Sequence, residues 1–149
     1  MQIMANAIAI SSIVLICTSL SASTQADNQT ALAALQTRAE QAESRDRCFL
    51  YTKLVSRLTD LAGRQFNSGD SAQASETLKQ VQRYAQEIQS GIGDDTKRLK
   101  DSELILRRTT FRLQELLHDA SFEDRPALES TIKQLDQIRT QLLTRVFKK

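Results

Sequence analysis

Two short arrangements in this chain carry residue types that do chemistry. The first is Glu115-Leu116-Leu117-His118. A Glu and a His three residues apart share one face of a helix, and two such motifs with further carboxylates build the di-metal centres of helical bundles. His118 is the only histidine in the sequence, so a second motif has no ligand to use. Glu115 and His118 stay as metal candidates in a chain expected to hold no metal. The second arrangement is Cys48, in the apolar run Cys48-Phe49-Leu50-Tyr51. A thiol among apolar residues on a helix reads as a buried, inert side chain. With His118 it makes a nucleophile–base pair only if the fold brings the two together.

Other chemistries lack their parts. Haem needs axial His or Met ligands, or a Cys-x-x-Cys-His attachment, and Gly91-Ile92-Gly93 lacks the remaining glycines and the preceding strand of a phosphate loop. No catalytic residue and no cofactor emerge, and the chain is expected not to be an enzyme. Lys97, Arg98, Lys100, Arg107, Arg108 and Arg112 form a local excess of positive charge. Asp94, Asp95, Asp101 and Glu103 interleave with it, and the formal net charge is only +2. Nucleic acid would want an unbroken basic stripe with aromatics, so it is not an expected partner.

The elements that must position these residues are helices. Four Gly, one Pro and no Trp in 149 residues leave few breakers and few aromatics, which favours an all-α fold of one domain. The first 26 residues contain no charged side chain. Their apolar run ends near Leu20, and Thr24-Gln25-Ala26 resembles a small-residue cleavage site. They predict an export signal cleaved after Ala26, and hence a periplasmic or secreted protein. The alternative is a membrane anchor formed by residues 3–20. Cleavage removes Cys17 and both Met residues, leaving Cys48 as the one thiol.

Residues 27–45 are rich in Ala and Gln, with mostly small residues at the core-facing positions, and predict a loosely held helix or frayed arm. The bundle domain is expected over 46–149. Leu50, Leu54, Leu58 and Leu61 recur at helical steps, and Asn67-Ser68-Gly69-Asp70-Ser71 supplies a C-terminal glycine and N-cap residues for a helix–helix connection. Pro126 suits the first turn of a last helix carrying Leu128, Ile132, Leu135, Ile138, Leu142 and Val146, with Arg125 steered out of helical geometry.

The middle of the chain is ambiguous. Leu78, Ala85, Ile92, Leu99, Leu106 and Leu113 keep a seven-residue step across Gly91 and Gly93. That coiled-coil-like phase predicts one long helix from about 72 to 118, kinked near the glycines and about 70 Å long. The alternative is a reversal at Gly91, with that glycine left-handed and Asp94 and Asp95 capping the next helix. It gives a four-helix up-down-up-down bundle.

In the long-helix reading, Asp95, Ser102 and Thr109 form a polar companion seam. With Arg107, Arg108 and Arg112 they are the candidate interaction residues for a protein partner or a second copy. Gly69-Asp70, Ala74, Leu78 and Tyr84-Ala85 resemble the turn of a tetratricopeptide repeat, but the turn occurs once without the repeat's recurrence.

The stretches RDRCFLYTKL (45–54), DTKRLKDSELILRRTTFRL (95–113) and IKQLDQIRTQLLTRVFKK (132–149) resemble hypothetical bacterial secreted helical proteins over most of the chain after residue 26. That resemblance implies bacterial export and carries no catalytic or binding residue across. The expected protein is an exported, non-catalytic helical bundle that binds or scaffolds through helix–helix contacts. The alternatives are a small ligand- or metal-binding bundle, or a membrane-tethered one if residues 1–26 are retained.

Overall fold

Apolar steps of three and four residues become five α-helices in a computed structural model that describes residues 20–148. They are α1 (Leu20–Gln41), α2 (Ser44–Asn67), α3 (Ser71–Ser90), α4 (Leu99–Asp119) and α5 (Arg125–Phe147). Residues 1–19, which hold most of the expected signal or anchor segment, lie outside the described residues. Among the described residues no helix is long and apolar enough to cross a membrane.

The 27–45 arm is helical only to Gln41, its last residues Ser44 and Arg45 already opening α2, and its helix begins at Leu20, ahead of the expected cleavage point. It packs on α2 alone. Its narrow apolar face explains this: only Ala39 is fully buried, and Leu32 and Leu35 are half-buried against the core.

The connection from α2 to α3 forms as its residues predict. Gly69 has φ +80°, its N–H donates to the Phe66 carbonyl at 3.0 Å, and the Asp70 N–H reaches the Gln65 carbonyl at 2.9 Å. This is the paired closure of a Schellman motif, which needs a left-handed residue where Gly69 stands. Asp70 then caps α3, its carboxylate accepting the Gln73 N–H at 3.3 Å. Pro126 lies in the first turn of α5, which opens one residue earlier than expected, at Arg125.

The long helix over 72–118 does not form. The chain leaves helical geometry at Ser90 and re-enters it at Leu99. Gly91 donates to both the Glu87 and Ile88 carbonyls at 3.1 Å, a tightening that ends the helix. The Thr96 hydroxyl holds the turn: it accepts the Gly93 N–H at 2.7 Å and donates to the Gly91 carbonyl at 3.3 Å. The Lys97 N–H then donates to the Arg45 carbonyl at 2.9 Å, tying the turn to the start of α2.

The reversal also differs in detail from its expected form. Gly91 is right-handed (φ −87°), and the left-handed residue is Arg98 (φ 58°, ψ 33°), just before α4. A left-handed non-glycine residue costs about 1–2 kcal/mol. The Arg98 guanidinium lies 3.5 Å from the Phe49 ring centroid, and at this exposed position the contact is worth about 0.5–1 kcal/mol, which offsets part of that cost. Neither Asp94 nor Asp95 caps α4: Asp94 pairs with Arg145 of α5, and Asp95 is exposed. The seven-residue phase between α3 and α4 is therefore a coincidence of register between separate helices.

The bundle consists of two antiparallel hairpins, α2–α3 and α4–α5. α2 lies beside α4, α3 lies beside α5, and the α3–α4 turn crosses the end of the bundle diagonally. Two cross-links in the same order show that each side-by-side pair is parallel: Lys97 reaches Arg45 and Arg112 meets Asp60, and Ser71 donates to Asp124 at 3.3 Å while Gln82 donates to the Thr131 hydroxyl at 2.9 Å. The core is filled by Leu54, Val55, Leu78, Val81, Ile88, Leu106, Leu113, Leu128, Leu135 and Leu142. Tyr51 stacks on Tyr84 with centroids 5.6 Å apart.

Several buried polar residues sit among these apolar ones, and three of them bond their hydroxyls within their own helices. Thr52 donates to the Cys48 carbonyl at 2.8 Å, Thr109 to the Ile105 carbonyl at 2.9 Å, and Thr131 to the Ala127 carbonyl at 2.7 Å. A hydroxyl so bonded enters an apolar core at low cost.

Candidate functional site

The expected interaction residues do not share a surface. Ser102 and Thr109 are fully buried inside the bundle, so no partner reaches them in this fold. Their residue types suggest an open polar seam, but α2 packs on this side of α4, with Cys48 against Ser102. Asp95 stands alone on the α3–α4 turn, and Arg107 and Arg108 are exposed on α4. Arg112 is engaged with Asp60 across the α2–α4 contact.

Glu115 and His118 are both exposed near the end of α4. Among the described residues no three His, Cys, Asp or Glu side chains are grouped so as to hold a metal ion. Cys48 is fully buried at the α2–α4 contact. Burial pushes its thiol up to about 11, against the smaller opposing effects of Ser102 and Thr52. A thiol held protonated in this way is a poor nucleophile at neutral pH.

Two surface concavities carry the useful geometry. The larger, about 560 Å³, is an open groove between α4 and α5. Leu117 and Ile132 form its apolar part, and Gln114, Glu129, Lys133 and Gln137 border it. It lies between antiparallel helices whose inner faces are used up in the core, so its occupant would meet outward-leaning side chains.

The second is a cleft of about 340 Å³ between the C-terminal halves of the parallel helices α2 and α4. Here the fold brings two sequence candidates, Arg112 and Glu115, together with Thr59, Asp60, Gly63, Arg64 and Asp119. Gly63 faces Leu116 across the cleft, where a β-carbon would make ordinary contact, 3.5 Å from a Leu116 methyl. Asp60, Thr59 and Asp119 were missed by sequence reasoning. Asp60 and Arg112 are 52 residues apart, and only the diagonal crossover makes them neighbours; no local spacing signals that.

Three aromatic side chains face solvent at separate places. Phe111 on α4 is 60% exposed, Phe122 in the α4–α5 turn 90%, and Phe147 at the end of α5 83%. Comparison with known proteins finds no matching family model, no matching curated protein and no matching solved structure.

Proposed function

We propose that this chain is an exported, non-catalytic module that binds or scaffolds other proteins through helix–helix contacts. The observation that carries this reading is the α4–α5 groove, with an apolar floor at Leu117 and Ile132 and a border of both charge signs. An amphipathic helix recognises such a groove by laying its apolar face along the floor. The buried state of Cys48 supports the non-catalytic part of the reading, since that thiol meets no substrate.

The test is a pull-down and light-scattering comparison between wild-type chain and Lys133→Glu/Gln137→Glu, which changes the groove border while leaving the core untouched. Loss of a partner or of self-association in the variant supports the proposal. Association unchanged by these substitutions removes the groove from it. Export is tested separately by the intact mass of the protein recovered outside the cytoplasm. A mass beginning at Asp27 supports it, and a retained N-terminus in the membrane fraction favours the tethered alternative.

A further inference from the structure

α3 and α4 share a register that the monomer does not use. Leu78, Ala85, Leu99, Leu106 and Leu113 are buried, and Ile92 packs half-buried against the same core. All six follow one seven-residue step, so a continuous helix through 91–98 would carry both core-facing stripes along one side. In the monomer the chain turns back between them, and α3 and α4 occupy diagonal corners of the bundle. Both corners face the core. A long helix with its stripes on one side therefore suits two half-bundles placed end to end, with the same helix of a second chain across the core.

Only residues 91–98 join the two hairpins, and the closed form of this hinge is weakly favoured. It holds Arg98 in left-handed geometry, which a continuous helix would relieve. Asp94 and Arg98 would then stand one turn apart in the favourable charge order. On the other side, opening loses the two Thr96 hydroxyl bonds and the bond from Lys97 to Arg45, and it brings two glycines into a helix. Beyond the hinge the contacts are the same in either form. Arg112–Asp60, Ser71–Asp124 and Gln82–Thr131 each join one hairpin to the other, and each forms as well between two chains as within one. Short, strained hinges favour such exchange. We infer that this chain forms a domain-swapped dimer as its concentration rises, in which α3 and α4 fuse into one helix of about 70 Å and each α2–α3 hairpin packs on the α4–α5 hairpin of a second copy. The exchange is independent of the α4–α5 groove, which lies within one hairpin and is intact in both forms.

The experiment is refolding of the full-length chain from urea in reducing buffer over a series of protein concentrations, with mass read by light scattering. Monomer and dimer are separated by size and then oxidised, in a Cys17→Ser/Ser102→Cys background. The introduced thiol replaces the hydroxyl that bonds Cys48, so a disulfide there joins α2 to α4. A swapped dimer is then covalent on a non-reducing gel, while the monomer is linked within itself. Gly91→Ala/Gly93→Ala is expected to lower the dissociation constant of the dimer by about a thousandfold, from helix propensity at two positions in each of two chains. Neither glycine is left-handed, so alanine is compatible with both forms. Asp94→Pro acts in reverse. It occupies the corner of the Gly93–Thr96 turn that suits proline and bars the continuous helix, so the dimer is lost while the circular dichroism of the monomer is kept. The inference is overturned if the dimer proves to be linked within single chains, or if the alanine variant dimerises no more than the proline variant.

Discussion

Replacing Thr96 by Val tests whether the reversal between α3 and α4 is held by one hydroxyl. The two side chains have nearly the same shape, and Thr96 is almost wholly buried, so the substitution changes little but hydrogen bonding. It removes the acceptor of the Gly93 N–H at 2.7 Å and the donor to the Gly91 carbonyl at 3.3 Å. An orphaned buried backbone group costs about 1–3 kcal/mol. Both glycines are half-buried and regain some water, so a loss of about 1–2 kcal/mol is expected at the low end of that range. In a chain of this size that lowers Tm by roughly 3–8 °C.

The assay is urea unfolding followed by circular dichroism, with Thr109→Val as the reference. The Thr109 hydroxyl bonds only the Ile105 carbonyl of its own helix, so its removal leaves no backbone group stranded and costs less than about 1 kcal/mol. If Thr96→Val is as stable as wild type, or Thr109→Val is the more damaging change, the turn is not held as described.

Two further predictions concern backbone strain and the buried thiol. Gly69→Ala places a β-carbon at φ +80° with open space around it, so the cost is conformational alone, about 1 kcal/mol in a denaturant titration; a neutral result would contradict the left-handed closure. Cys48 in the folded chain resists thiol reagents at pH 8 and reacts fully once urea unfolds the protein, because its folded pKa is raised from 9.0 to about 11. The unfolded thiol ionises first as pH rises, so the stability linked to Cys48 is fully present below pH 9 and is lost between 9 and about 11. Tyr51, also raised by burial, acts in the same direction. A Cys48→Ala variant with an unchanged alkaline stability profile would falsify the assignment to this thiol.

Much of the fold is legible in local pattern, and the exceptions have identifiable causes. α2, its connection at Gly69 and the opening of α5 around Pro126 are written in residues that act on their own neighbours. The α3–α4 reversal is not. Its determinants are a Thr96 hydroxyl folded back on two glycines, a Lys97 N–H reaching Arg45, and an Arg98 whose left-handed geometry is stabilised by Phe49. Two of those three partners lie in α2, about fifty residues away, while the apolar phase of α3 and α4 points to continuity. Ser102 and Thr109 misled for a related reason: their residue type suggests water, but their burial is set by α2. The α2–α4 cleft was illegible because it depends on parallel pairing, which follows from the crossover alone.

Small-angle scattering with light scattering on the chain from Asp27 onward tests the bundle most directly. The reversal at 91–98 and the packing of α2 to α5 predict a compact particle with a radius of gyration of about 14 Å. A monomer with a radius well above 20 Å, as a continuous helix of about 70 Å would give, would contradict the account.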